Sequence, residues 1–479
     1  MATTPTQELY EQENLLARLD RLPVNRIILL IVALLGLVWI LEAFDIGIIA
    51  PVILLLKGVW HLEPHDIGLI GSSGTLGIVI GLLPAGRLAD RYGRKTTLLG
   101  GIVVFSVFTF LAAFSRNVTD LALLRFIAGL GQGAVFPVPY LLLSEFVNKH
   151  WRGTAVGLSN SLLGFAYGLN TLAAALIVGR IPDAQAWRVL LMIGGAAIVL
   201  VPVILIYLPE SPRFLLRVGK IHKVRELVEM LEDRSGVAHD DKLIDPTALQ
   251  VLQVGRSGGA SLADLFKPPY LSRMVVSYLA LLSPFILFYV ITIYGPSILH
   301  RMGASKSSAL YYTSGLLFLT VLTTALAGSV GDKFSRRRGI VALMLGTALG
   351  AIALGQHLPT AGVVLAAAVT WGLVYATFPL SKLYMAEQFP TRLRASGVML
   401  GECVTRFLTG VVLIYFFPIL SARLGSATLF TVLAVLSVLC ILPIWRYGTQ
   451  TSGRSIEETG TDLTQYSGAL AAGSVGRET

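Results

Sequence analysis

Six ionisable side chains stand inside long apolar stretches of this 479-residue chain: Glu42, Asp45, Arg125, Lys382, Glu402 and Arg406. A charge at the centre of a bilayer costs at least about 2.5–3.5 kcal/mol on the insertion scale, so residues kept there mark ion pairs, proton paths or ligand contacts. A carboxylate in apolar surroundings can take and release a proton, and a guanidinium or ammonium can hold an anion. Glu402 and Arg406 are four residues apart on one helix, so a static pair in which they satisfy each other is one reading. Such a pair still costs desolvation, and it sits better against a wet cavity than against lipid. No nucleophile–base constellation and no metal-ligand spacing is visible, and all seven histidines lie outside the apolar stretches. An enzyme is therefore not expected, and no cofactor is implied.

The elements that position these charges follow from composition. Charged residues make up 14% of the chain against roughly 25% in a soluble globular protein. Hydrophobic residues reach 54% and the mean hydropathy is +0.72. Such a chain cannot clothe itself with polar surface in water, and it reads as an integral membrane protein with the lipid bilayer as partner. The net charge of +10 does not indicate nucleic acid, because the basic residues are dispersed between apolar segments. Cys403 and Cys440 lie in apolar stretches and suggest neither a disulfide framework nor zinc. The first 25 residues are polar and mildly acidic (Glu8, Glu11, Glu13), unlike a signal peptide. That segment and the tail after Arg446 are the only stretches that read as disordered.

Apolar runs of about 20 residues, long enough to cross a bilayer, recur twelve times. The expected organisation is a cytoplasmic N-terminal segment (1–26), six helices in 27–208, a hydrophilic linker with short helices (209–274), six more helices in 275–446 and a tail (447–479). Within the linker, Lys223–Arg234 reads as a short charged surface helix. The termini and the loops after even-numbered spans hold 28 of the 38 Lys and Arg residues, and the loops after odd-numbered spans hold 7. Both termini and the linker are therefore expected on the cytoplasmic side. Asp45, two thirds along the first span, and Arg125, near the outer third of the fourth, fall at compatible depth at 1.5 Å per residue.

The halves repeat. Gly86-Arg-Leu-Ala-Asp90-Arg-Tyr-Gly-Arg94-Lys95 follows the second span, and Gly328-Ser-Val-Gly-Asp332-Lys-Phe-Ser-Arg336 follows the eighth. Asp90 and Asp332, Glu145 and Glu387, and Arg152 and Arg394 are each 242 residues apart. Three pairs at one offset indicate a parallel duplication, with a substrate site expected between the halves.

These motifs resemble the major facilitator superfamily over nearly the whole chain. The Gly86–Lys95 loop carries that superfamily's most specific signature, and Arg125-x-x-x-Gly129-x-Gly131-x-Gly133 resembles its fourth-helix motif. Pro209-Glu210-Ser-Pro-Arg213-Phe-Leu is similar to sugar porters and organic-ion carriers. Tyr384-Met-Ala-Glu387-Gln-Phe-Pro390-Thr391-Arg-Leu-Arg394 is similar to organic-ion and aromatic-acid carriers. The resemblance implies an all-α membrane fold of twelve transmembrane helices in two pseudo-symmetric six-helix bundles, working by alternating access. Asp90, Arg94, Glu145, Arg152, Glu210, Arg213, Asp332, Arg336, Glu387 and Arg394 are then candidates for a cytoplasmic gate. Paired charges at helix ends are worth little in water and more when an interface closes. Charges that merely set topology account for the basic members but not for the acidic ones. The glycines of the fourth-helix motif follow no strand, so they point to close helix packing rather than a dinucleotide loop.

The resemblance also assigns roles inside the spans. In similar proton-coupled sugar porters a first-helix Asp and a fourth-helix Arg occupy the positions of Asp45 and Arg125 and form the proton switch. The chemistry agrees: a carboxylate against a guanidinium stays ionised, and one drawn away into an apolar wall takes a proton. The alternative is a static pair. Glu42-Ala-Phe-Asp45 is similar to the acidic pair of aromatic-acid symporters, although Ala43 departs from their glycine. Arg406 falls where organic-anion carriers place an arginine, whose planar fork grips a carboxylate. Lys382 replaces a tryptophan that lines the sugar site of sugar porters, or else snorkels toward the cytoplasm. Phe285, Phe288 and Tyr289 share a helical face, where they can stack on a flat ring or simply pack. Asn160 and Tyr167 fall where sugar porters place two substrate-facing glutamines.

The expected function is proton-coupled uptake of a small organic anion, an aromatic or heteroaromatic monocarboxylate such as nicotinate or a benzoate. The expected home is a bacterial inner membrane, and a monomer is the usual state of proteins resembling this one. A sugar or polyol symporter, an exporter of organic anions or drugs, and a membrane sensor that binds without transporting are the alternatives.

Overall fold

The computed structural model describes residues 5–148, 151–240, 262–268, 270–331, 335–356, 358–389 and 391–448. Among them, eleven helices are long and apolar enough to cross a membrane, and the shorter apolar stretch Leu162–Ile177 supplies a twelfth crossing. This is the expected all-α, twelve-helix architecture.

The first crossing is two helices, α2 (Arg26–Gly47) and α3 (Ile49–Val59). Pro51 explains the break, since its ring nitrogen cannot donate to the Gly47 carbonyl. The second and third crossings are α4 (Pro64–Tyr92) and α5 (Arg94–Ala112), and the fourth is split by Pro137 into α6 (Val118–Val135) and α7 (Val138–Phe146). α8 (Arg152–Ile177) follows. The sixth crossing is α9 (Asp183–Gly195) and α10 (Leu200–Tyr207), joined by a 3-10 turn. Two short helices, α11 (Pro212–Arg217) and α12 (Ile221–Ser235), lie in the linker. The second set is α13 (Tyr270–Arg301), α14 (Lys306–Gly331), α15 (Arg336–Gly355), α16 (Thr360–Glu387), α17 (Thr391–Arg406), α18 (Ile414–Leu424) and α19 (Ser426–Tyr447). Between α17 and α18 the eleventh crossing runs through seven residues of π-helix, Phe407–Leu413.

The N-terminal segment corrects the sequence reading. Residues Pro5–Asp20 form a helix, α1, and not a disordered lead-in. Its Leu15 and Leu19, with Leu22, join Val224, Val228 and Leu231 of α12 in one buried cluster. Inside that contact Arg18 donates to Glu232 through Nε (3.0 Å) and Nη2 (2.5 Å), and Arg21 adds a bond of 2.9 Å. Burial alone would push the Glu232 carboxyl up, but the bonds from Arg18 and Arg21 outweigh it and hold the group below the ordinary carboxylate range. Asn25 then caps α2, accepting from the Ile27 and Ile28 amides, while its own amide nitrogen reaches Ser235 Oγ at 2.7 Å.

By its contacts the chain forms two compact units. One comprises Met1–Ser257 with Thr292–Val321 and Ile414–Ile419; the other comprises Gly258–Ile291, Leu322–Leu413 and Leu420–Thr479. Within the first unit the fourth-helix glycines let α6 lie backbone to backbone on α4. A Cβ at Gly129 would run into the Gly74 carbonyl, and one at Gly133 into that of Ile78. In the same unit Lys306 pairs with Asp183 (2.5 Å), Tyr415 bonds His65 (2.7 Å) and Tyr294 donates to the Ile414 carbonyl (2.9 Å). The second unit packs α15 between α16 and α19, with Met344, Tyr384 and Ile441 in its core.

Candidate transport site

Asp45 and Arg125 meet in the first unit. Arg125 Nη1 donates to both carboxylate oxygens of Asp45 at 3.0 Å, and Nη2 donates to the Asp45 main-chain carbonyl at 3.1 Å. Asp45 is fully buried and Arg125 nearly so. Two further partners were not legible in advance. Thr109 of α5 accepts from Arg125 at 3.0 Å, and Gln132 Nε2 donates to Asp45 Oδ2 at 2.6 Å. Gln132 occupies a variable position between two glycines of the fourth-helix motif. The signal that it faces the same way as Arg125 is their spacing of seven residues, two helical turns. A cleft lined by Thr75, Arg125 and Gln132 among Ile46, Ile70 and Ile293 reaches the two side chains that hold Asp45. Glu42 is buried one turn earlier on α2. This arrangement is a buried carboxylate held by one guanidinium and one amide.

A second cluster lies in the other unit. Glu402 takes Arg406 Nε at 3.2 Å and Lys382 Nζ at 3.3 Å. Arg406 Nη1 donates to the Tyr289 hydroxyl at 3.0 Å, and the guanidinium lies 5.6 Å from the Phe285 ring centre, in cation–π range. Arg406 and Glu402 are each 6% exposed, while the Lys382 side chain is about a quarter exposed, the most accessible of the three charges. Lys382 thus reaches Glu402 while keeping part of its side chain exposed. The ring face expected on α13 is present, with Phe285 and Tyr289 stacked at 5.7 Å. It is completed by two α16 residues that sequence reasoning missed. Phe378 sits 4.8 Å from Phe285 and 4.9 Å from Phe288, and Tyr375 sits 5.4 Å from Phe288. Their spacing with Lys382, at i, i+3 and i+7, places all three on one face and was the available signal. The result is two cations and one carboxylate beside a wall of five rings. Cations beside a ring face combine a grip for a carboxylate with a stacking surface for a flat ring.

The remaining predicted residues are dispersed. Tyr167 is buried in the first unit against Gly47, and the Asn160 side chain lies outside the described residues. Of the loop charges, Arg94 pairs with Glu145 and with Ser211, whose hydroxyl also binds Glu145. Glu210 accepts the main-chain amides of Arg94 and Lys95 at 3.0 Å each, and Arg213 adds positive charge near Glu145. The motif's Gly93 is fixed twice over: its φ is 100°, and a Cβ there would strike the Glu210 carboxylate. Asp90 pairs at 3.3 Å with Arg217, a partner not among the expected residues. In the second unit Arg336 pairs with Glu387, and Arg394 donates to the Ala386 carbonyl at 3.1 Å. Asp332 and the Arg152 side chain lie outside the described residues.

The profile of the sugar (and other) transporter family matches residues 29–463. The chain belongs to that family, within the major facilitator superfamily. It is a multi-pass membrane transporter and not an enzyme. This transporter is 29% identical over 457 residues to the niacin transporter NiaP of Acinetobacter baylyi, covering 93% of this chain and all of that one. It is also 29% identical over 341 residues to the 4-hydroxybenzoate transporter PcaK of the same organism, covering 69% of this chain and 71% of PcaK. Among solved structures, the inward-open xylose transporter XylE from E. coli superposes with a TM-score of 0.74 at 20% identity, over 90% of this chain and 99% of that one. That likeness speaks for the fold alone.

Proposed function

We propose that this transporter carries a small aromatic or heteroaromatic monocarboxylate, of the nicotinate or benzoate kind, into the cell together with protons by alternating access. The observation that carries the reading is the Arg406–Lys382–Glu402 cluster set against Phe285, Phe288, Tyr289, Tyr375 and Phe378. Arg406 takes the carboxylate, Lys382 adds a second positive charge, and the rings take the flat body of the substrate. Two relatives whose names specify aromatic acids support the substrate class. A sugar needs amides and a broad hydrogen-bonding surface, and the α13 face offers rings instead.

Asp45 carries the proton, with Arg125 and Gln132 as the groups that hold it while it is ionised, and Glu42 assists from the same helix. Asp90, Arg94, Glu145, Arg152, Glu210, Arg213, Asp332, Arg336, Glu387 and Arg394 form the cytoplasmic gate. Asn160 and Tyr167 contribute from the fifth crossing. The transporter works as a monomer in a bacterial inner membrane, with both termini in the cytoplasm. The test is thermal stabilisation of the detergent-purified protein by nicotinate and benzoate against nicotinamide, benzamide, glucose and xylose. A ligand that binds the folded state raises the melting temperature by mass action. Stabilisation by carboxylates only is the expected result; stabilisation by sugars only overturns the reading.

A further inference from the structure

The cations offered to the substrate already hold a carboxylate. Glu402 sits on Arg406 Nε and Lys382 Nζ at 3.2 and 3.3 Å, buried beside an aromatic wall. A substrate carboxylate gripped by Arg406 arrives on the same guanidinium, within that group's width of Glu402. Two carboxylates so close, with rings in place of water on one side, repel each other strongly. We propose that Glu402 is a second proton-binding site, loaded when the substrate's carboxylate displaces it from Arg406 and Lys382. This rests on the reading of Arg406 as the substrate's anchor.

The exchange balances. A proton from water joins one Glu402 oxygen, the Glu402 contacts to Arg406 and Lys382 break, and the substrate carboxylate forms their replacements. The two cations face one carboxylate before and after, so the buried charge of the cluster does not change. When substrate leaves on the other side, Glu402 returns to the cations and its proton departs. The titratable groups whose charges act on Glu402 are Lys382 from α16, Tyr289 from α13, and Cys403 and Arg406 from its own helix. Free lysine, tyrosine, cysteine and arginine titrate at about 8.5 or above, so near pH 6.5 a proton taken up in this cluster goes to the carboxylate. The backbone provides for the movement. The turn bearing Glu402 and Arg406 runs directly into the π-helical stretch Phe407–Leu413, a wide, poorly favoured winding that recurs at functional sites. Tightening it by one residue rotates the preceding turn. With Asp45 as the first site, two protons accompany one monoanion, and each cycle moves one positive charge inward.

The experiment measures proton uptake on binding of nicotinate or benzoate to the purified full-length protein near pH 6.5, in weak buffer with a pH indicator, alongside Kd as a function of pH. The expected result is proton uptake on binding of which Glu402 accounts for about one per bound carboxylate, with a Kd that rises at least about tenfold per pH unit across the linked range. Glu402→Gln takes up about one proton fewer per bound carboxylate than the wild type, and its Kd is less steep by about tenfold per pH unit. A flat wild-type Kd with no proton taken up overturns the inference without any variant, as does uptake in Glu402→Gln equal to that of the wild type. Carboxylate binding that survives Arg406→Ala, or is absent from the wild type, overturns the underlying substrate reading instead.

Discussion

Replacing Arg406 by alanine separates an anion anchor from a structural ion pair. Without the guanidinium, Glu402 keeps Lys382 at 3.3 Å, so no uncompensated buried charge is left and the variant folds. What is lost on the ligand side is a two-point, charge-assisted grip. At roughly 1.5 kcal/mol per bond, the low end because Lys382 remains, the loss is about 3 kcal/mol. That corresponds to a Kd about 150-fold higher. Arg406→Lys keeps the charge and loses the planar fork, so about half the penalty applies and Kd rises about tenfold. Titration calorimetry with nicotinate and benzoate on the purified protein reads both steps, with nicotinamide as the neutral isostere. A carboxylate Kd in Arg406→Ala within threefold of wild type, or nicotinamide bound as tightly as nicotinate, refutes the reasoning.

Four other outcomes follow. Asp45→Asn abolishes accumulation against a gradient while substrate exchange between loaded compartments continues; accumulation by this variant in a vesicle assay removes Asp45 from the coupling scheme. Arg18→Ala leaves Glu232 held by Arg21 and costs the α1–α12 contact about 1.5–3 kcal/mol for the lost charge-assisted bonding, read as faster hydrogen exchange across Pro5–Asp20. Because the Glu232 carboxyl is held low, the wild-type contact is fully stabilised above about pH 4.3 and weakens as pH falls through the folded-state value; protection of α1 that rises on acidification contradicts this. Gly129→Leu drives a side chain into the Gly74 carbonyl and prevents α4 and α6 from packing, so the folded fraction in size-exclusion chromatography should collapse; a monodisperse variant of normal yield argues against the backbone contact.

Much of this architecture is legible because a bilayer leaves the chain few choices. Apolar length sets the crossings, and charges inside spans stand out against their background. Asp45, Arg125, Glu402 and Arg406 were visible for that reason, and the structure brings each pair together. Pairings across long stretches of sequence were not visible. Arg18 and Glu232 are 214 residues apart, and each on its own is an ordinary charge on a polar helix, so neither α1 nor its docking could be read. Gln132 was hidden as a variable position in a motif defined by its glycines, and Phe378 and Tyr375 as ordinary apolar content of a span. The breaks at Pro51 and Pro137 have a local cause, whereas the π-helical stretch after Arg406 has no sequence signal that we recognise.

Reconstitution into liposomes, with an inward proton gradient and labelled nicotinate, benzoate, glucose or xylose outside, tests the central claim most directly. The account predicts that the two carboxylates accumulate above their equilibrium level, that a protonophore collapses the accumulation, and that neither sugar enters faster than into empty liposomes. Accumulation of a sugar, or carboxylate entry indifferent to the proton gradient, would contradict it.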